Sequence, residues 1–498
     1  MEKAEPSNSY SHILKYTGLY GGVQGLNILI GLIRNKLVAM LLGPEGMGLI
    51  SLFNSTIKLV SDSTNLGIPM SGVKDISEAY GRGDADRVSQ SINVVRYWCL
   101  LTALLGMVVC VVMSPLLNRW TFGWGDHTLH FLFLSPIVAL VAVSGGELAI
   151  LKGTRQLRAL AVISVYNMLA NLIISVPLFY FWKEAAIVPS MILLALTQLV
   201  TVLIYSYRRY PLRLSRSRTL FGEGLGMVKL GMAFVLAGIM SSSAEFIIRS
   251  YLSKVGGLDV VGFYNVGYLM TLAYAGMVLS SLDSDYFPRL SAVTETGALL
   301  NDTVNRQVEV TLLSMAVLLP VFMVSLPVLL PLLYSSAFLP AMGMMKLTLI
   351  AMYIRAVMVP IEYLSLSRGD SLSYLFLETV YAVMLVVSVL LGYRFWGLLG
   401  TGAAIIVTGG VGLAVDLVYM HHRYGYVLSA QARRYAIVQI FFGIAIYAVS
   451  VVTEGWIYWT TGLLLSALSA LFSLRILRSK THLWHSLTQK INSKLRHK

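Results

Sequence analysis

The chain has 498 residues, of which 56% are hydrophobic and only 12% charged, and its mean hydropathy is +0.72. Soluble domains carry about 25% charged residues, so a soluble globular fold is excluded and an all-α polytopic membrane protein is expected. The net charge is +14, and where that charge sits carries more information than its sum.

A helix needs about 20 apolar residues to cross the hydrocarbon core. By that measure fourteen transmembrane helices are predicted, over 13–42, 46–67, 92–116, 129–150, 159–182, 188–207, 226–252, 260–285, 308–334, 342–366, 374–392, 400–420, 435–452 and 456–474. A polar start with Lys15 at its edge and no small-residue cleavage site precede and follow the first run, so that span is expected to be retained. Cys99 and Cys110 lie in one apolar segment and act as small fillers rather than a staple.

The connections alternate in charge. The N-terminus, 68–91, 151–158, 208–225, 286–307, 367–373, 421–434 and the tail from Arg475 hold 25 Lys and Arg, whereas the opposite side holds only Arg119, Lys183, Lys254 and Arg394. The positive-inside rule therefore places both termini in the cytoplasm. Outer connections are short, the longest being 117–128, which leaves no room for an external domain. No GxxxxGK[ST] sequence is present, so ATP hydrolysis by this chain is not expected. A short cytoplasmic helix with a polar turn is expected over Asp75–Arg87, and the basic tail with Trp484 is expected to lie on the anionic inner leaflet.

Nine basic residues remain within spans. Lys15, Arg96 and Lys229 lie near cytoplasmic ends and can snorkel. Arg34, Lys36, Lys58, Arg249, Lys346 and Arg355 lie deeper, where each charge costs about 2.5–3.5 kcal/mol on insertion scales. Such residues require partners, water or a charged ligand.

Shifting the chain by 214 residues lays the first two spans on the seventh and eighth: Lys15 falls on Lys229, Gly43 on Gly257, Glu45 on Asp259 and Gly48 on Gly262, with Arg34 within one residue of Arg249. An even repeat of six spans implies two lobes of six helices in parallel orientation, with a pathway between them. The expected domains are an N-terminal lobe 1–207, a basic linker 208–225, a C-terminal lobe 226–422, an extra helix pair 423–474 and a tail 475–498.

The Gly43-Pro44-Glu45-Gly46-x-Gly48 turn and Phe287-Pro288-Arg289-Leu290-Ser291 resemble the multidrug/oligosaccharidyl-lipid/polysaccharide exporter superfamily, and within it the Wzx-type flippases of lipid-linked O-antigen. The resemblance covers the whole chain. It implies a two-lobe bundle in a bacterial cytoplasmic membrane, alternating access and an undecaprenyl-diphosphate-linked oligosaccharide as substrate. It also implies membrane lipids, a polysaccharide polymerase and chain-length machinery as partners, with no nucleic acid, no enzyme activity and no cofactor beyond a proton or cation gradient.

Arg34 and Lys36 point about 200° apart on a helix. Arg34 lies about 12 Å from the outer end of its span and is expected in a cavity, while Lys36 is the easier one to snorkel. Lys58 with Asp62 is either a local i,i+4 pair or a lumen-facing pair whose lysine exchanges its acid for a phosphate. Glu245 and Arg249 repeat that spacing after Ser241–Ala244, and Arg249 is the repeat mate of Arg34. Arg355 sits mid-span with Glu362 two turns on, whereas Lys346 is expected to snorkel outward. The diphosphate set is therefore Arg34, Arg249, Arg355 and Lys58. Ion-coupling candidates are Asp62, Glu245 and Asp416, and Asn167 and Asn171 are candidates for sugar hydroxyls or for interhelical bonds. Glu147, Asp283, Asp285, Glu378 and Asp416 cluster toward cytoplasmic ends, where most are expected to be interfacial or paired with loop arginines. The rivals are a multidrug cation antiporter, disfavoured by the basic excess at depth, and a membrane polymerase or glycosyltransferase, disfavoured by the short outer loops.

Overall fold

A computed structural model describes residues 6–123, 125–211, 217–293 and 297–480. The side chains of Lys15, Lys229 and Asp283, the middle of the basic linker and the tail beyond Lys480 lie outside the described residues.

The chain is a succession of helices: α1 Pro6–Thr64, α2 Ile68–Gly81, α3 Ala85–Thr121, α4 Thr128–Gly153, α5 Leu157–Trp182, α6 Ile187–Arg209 and α7 Ser217–Gly256. They continue as α8 Leu258–Tyr268, a π-helical turn Leu269–Tyr274, α9 Ala275–Ala292, α10 Ala298–Leu333, α11 Met342–Ser367, α12 Ser371–Tyr424, α13 Ala430–Val452 and α14 Gly455–Lys480. Among the described residues nine helical stretches are long and apolar enough to cross a membrane. Three of them, Gly25–Thr64, Leu157–Arg209 and Ser371–Tyr424, hold two expected spans each. Spans seven and eight correspond to α7 and to α8–α9, which completes the predicted fourteen in a multi-pass membrane protein.

Two helices contain turns that the sequence marks. α1 breaks at Gly43, whose φ of 65° and ψ of −169° suit glycine alone, and resumes on Pro44 at the first helical position. Its 214-residue mate Gly257 also has positive φ, 97°, between α7 and α8. The following mates pack reciprocally. A Cβ on Gly48 would lie 1.9 Å from the Leu258 carbonyl oxygen, and one on Gly262 2.0 Å from that of Pro44. α12 breaks at Trp396 and Gly397. Trp120, Trp182, Trp396 and Trp456 are all exposed at turns expected on the outer side, where an interfacial aromatic is at home.

The expected helix and polar turn over Asp75–Arg87 are both present, and the next helix starts within the same stretch. α2 ends at Gly81, Gly83 turns the chain with φ 73°, and Asp84 caps α3 by accepting the Arg87 backbone N–H at 2.9 Å. A glycine in the left-handed region followed by an aspartate N-cap ends one helix and starts the next.

The chain divides into two compact units: 1–262 with 332–337, and 263–331 with 338–498. In the first, α2 packs on α3, α4 and α7 through Ile68, Ile76, Val95, Trp98, Ile150 and Leu220. α7, on which the 214-residue offset lays the first span, thus sides by packing with the first unit. In the second unit the α13–α14 pair is docked by buried polar contacts. Tyr458 donates to the Val324 carbonyl of α10 at 2.7 Å, and Gln439 donates to Ser473 at 2.8 Å.

Two cations expected to snorkel do not. Arg96 is 7% exposed; its Nε and Nη2 donate to the Glu147 carboxylate at 2.8 and 3.2 Å, and Nη2 donates to the Tyr210 carbonyl at 2.9 Å. Lys346 is buried, donates to the Ser450 carbonyl at 3.3 Å and lies 5.7 Å from the centre of the Tyr458 ring. In each case a neighbouring helix offers an acceptor nearer than the interface does. Glu147 and Asp416, 2% and 3% exposed, are buried rather than interfacial: Glu147 is held by Arg96, whereas Asp416 Oδ2 has no partner among the described residues. Asp285 remains exposed and pairs with Arg289.

Candidate functional site

The break at Gly43 folds α1 into two halves, and both contribute to a cavity of about 290 Å³ inside the first unit. Arg34 comes from the first half and Asn54 from the second, with Asn167 and Asn171 from α5 and Thr197 and Gln198 from α6. Ile137, Val141 and Phe179 supply an apolar wall. Asn167 and Asn171 are one helical turn apart and share a face, as their i,i+4 spacing dictates. Their side-chain oxygens and Arg34 Nε are buried with no hydrogen-bond partner among the described residues. Among the described residues Arg34 Nη1 makes one long contact, 3.4 Å to the Asn35 side chain, and no lining residue is acidic. Lys36 is absent from the lining, as the angular separation on the helix requires. Sequence reasoning singled out Arg34, Asn167 and Asn171 but missed Asn54, Thr197 and Gln198. Their signal was present, since each is polar within an apolar run.

A second set lies in the same unit, where α7 meets the later half of α1. Lys58 Nζ lies 2.7 Å from Glu245 Oε1, and Arg249 Nη1 lies 3.3 Å from Oε2 of the same carboxylate. Arg249 Nε also donates to Ser51 Oγ at 2.8 Å. Ser51 and Lys58 are seven residues apart and so share a helix face. The Lys58 side chain is 46% exposed and that of Arg249 only 8%. Among the described residues the acid in ion-pair contact with Lys58 is therefore Glu245 on another helix. Asp62, one turn further along α1, lies within electrostatic reach of both. Arg249 does not line the Arg34 cavity, so the two arginines serve different surroundings.

Arg355 and Asp416 belong to the second unit. Arg355 Nη1 donates to the Tyr381 hydroxyl at 3.1 Å, and Glu362 and Glu378 are within electrostatic reach. Glu378 accepts from the Tyr374 hydroxyl at 3.2 Å, and Asp416 Oδ2 has no partner among the described residues. At the turn between α11 and α12, Asp370 caps α12 through Ser373 N–H at 3.2 Å and pairs with Arg423 at 3.0 Å. Burial alone would push its carboxyl up; hydrogen bonds from Ser373, Tyr424 and Arg423 outweigh that and hold it at about 2. Among the described residues no cluster of three or more His, Cys, Asp or Glu side chains has the arrangement of a metal site.

A family model described as "Polysaccharide biosynthesis protein" matches residues 13–294, more than half of the chain. The chain belongs to that family. Stage V sporulation protein B of Bacillus subtilis (strain 168) is 23% identical over 148 residues, covering 29% of this chain and 28% of that protein. The match thus spans little more than a quarter of that relative. Among solved structures, an inward-facing multidrug resistance MATE family transporter of the MOP superfamily has a TM-score of 0.61 at 16% identity, covering 80% of this chain and 94% of its own. The lipid II flippase MurJ in an inward closed conformation has a TM-score of 0.58 at 14% identity, covering 93% and 99%. A MOP superfamily transporter from Pyrococcus furiosus, described as having a binding pocket of reverse polarity, has a TM-score of 0.55 at 17% identity, covering 85% and 97%. At these identities the likeness is one of fold, and the three matched structures are described as transporters and a flippase.

Proposed function

We propose that the protein is a flippase that moves an undecaprenyl-diphosphate-linked oligosaccharide, an O-antigen or similar surface-polysaccharide repeat, from the inner to the outer leaflet of a bacterial cytoplasmic membrane. The observation that carries this reading is Arg34, a guanidinium at membrane depth in a cavity lined by amides and by no acid. An uncompensated cation there is costly, and an anionic, hydroxyl-rich head group removes the cost. Family membership supports a polysaccharide precursor as cargo. Both termini lie in the cytoplasm in this reading, and the product passes to a polymerase and chain-length machinery on the far side.

The diphosphate binds at Lys58 and Arg249. In the unloaded protein Glu245 occupies both cations. Phosphate oxygens displace that carboxylate, and the Arg249 guanidinium offers them a planar fork. The freed Glu245, together with Asp62 and Asp416, responds to a proton or cation gradient as the lobes alternate. Arg355, already bound to Tyr381 and surrounded by carboxylates, belongs to this coupling side rather than to the diphosphate.

The carboxylates around Arg355 also favour a second reading, a multidrug cation antiporter, because buried acids suit a cationic cargo. Reconstituted vesicles separate the two. Translocation of a lipid-linked sugar that is lost in Lys58→Ala and Arg249→Ala supports the flippase, whereas organic-cation efflux without sugar-lipid movement supports the antiporter.

A further inference from the structure

The Arg34 cavity and the ion-pair set on α7 share the second half of α1. Asn54 lines the cavity, and Lys58 stands one turn further along the same helix, about 6 Å along its axis. The two are adjacent but chemically different. The cavity offers one guanidinium, three Asn side chains, Thr197 and Gln198, against an apolar wall. The ion-pair set offers two cations already shared by one carboxylate.

Three properties of the cavity define its ligand. Its volume, about 290 Å³, is at the lower end of the roughly 300–1,000 Å³ that encloses drug-sized ligands, which suits a single ring rather than an oligosaccharide. Amide and hydroxyl groups beside Ile137, Val141 and Phe179 match a ring with polar edges and an apolar C–H face. The single guanidinium, with no acid in the lining, matches one negative charge. A diphosphate would bring more charge than Arg34 alone can offset, and a neutral ring would leave Arg34 uncompensated.

We infer that this cavity is a subsite for one sugar ring bearing a carboxylate, separate from the diphosphate position at Lys58 and Arg249. The inference rests on the flippase reading. Arg34 takes the carboxylate, and Asn167, Asn171 and Gln198 take the ring hydroxyls.

The test measures binding to the full chain in lipid nanodiscs with three probes: undecaprenyl diphosphate, its glucosyl derivative and its glucuronosyl derivative. The native protein should hold the glucuronosyl probe roughly 10- to 100-fold tighter than the glucosyl one, the range expected for a charge-assisted hydrogen-bond set. Arg34→Gln should erase that preference while keeping its affinity for the sugar-free carrier, and Arg34→Lys should retain part of the preference. Thermal unfolding of each variant checks that it is folded. Equal affinity of the native protein for the two sugar probes overturns the inference. So does an Arg34→Gln protein that loses the sugar-free carrier in the same proportion, since Arg34 would then serve the diphosphate. Failure of all three probes to bind overturns the flippase reading, and this inference with it.

Discussion

Arg96 and Arg34 are both guanidiniums inside the helices of the first unit, and their surroundings are opposite. Arg96 is enclosed by a carboxylate, a hydroxyl and a carbonyl, and lies 4.3 Å from the centre of the Tyr207 ring. Arg34 has one long contact to an amide oxygen and faces a cavity. The first has a carboxylate partner within the chain, although its Nη1 makes no hydrogen bond among the described residues, and it ties α3 to α4 and α6. The second is incomplete without a ligand. A charge at membrane depth therefore marks function only when the fold leaves it uncompensated.

This contrast can be broken from either side. The largest effect is expected at Arg96: Glu147→Ala strands a buried guanidinium and should cost about 3–5 kcal/mol, read as a lower unfolding temperature in detergent. Arg34→Met removes a charge that has no carboxylate partner, so it should raise stability by about 1–3 kcal/mol while reducing sugar-lipid transport at least tenfold. A variant as unstable as Glu147→Ala would erase the distinction between the two sites.

Asp370 offers a smaller test outside the membrane. Its Asn variant loses a charged cap and an ion pair and should cost about 1–2 kcal/mol. Because the folded carboxyl is held at about 2, below an ordinary value of about 3.9, its contribution is fully present above pH ~4. It is lost as the pH falls toward 2, and the Asn variant should show a flatter stability profile over that window. The smallest effect is expected at Asn167→Ala, which should change stability by under about 0.5 kcal/mol and weaken transport about threefold, as the loss of one neutral hydrogen bond does.

Much of the architecture was legible because a bilayer imposes simple rules. Apolar run length gave the spans, and the Gly43 and Gly257 turns were visible in the 214-residue offset. The sites were legible only in part. Helical periodicity separated Arg34 from Lys36 and put Asn167 beside Asn171, because those relations lie within one helix. The partners of Arg96, Lys346 and Lys58 could not be read, because Glu147, Ser450 and Glu245 come from helices distant in sequence. The 214-residue offset that lays Arg34 near Arg249 is a relation of chain order alone, and the two arginines have different surroundings.

The most direct test of the account is translocation of a fluorescent undecaprenyl-diphosphate-linked acidic oligosaccharide in vesicles containing the native protein, Arg34→Met or Lys58→Ala. The native protein should move this lipid, both variants should lose that movement, and Arg34→Met should be at least as stable as the native chain. Undiminished translocation by both variants would contradict the account.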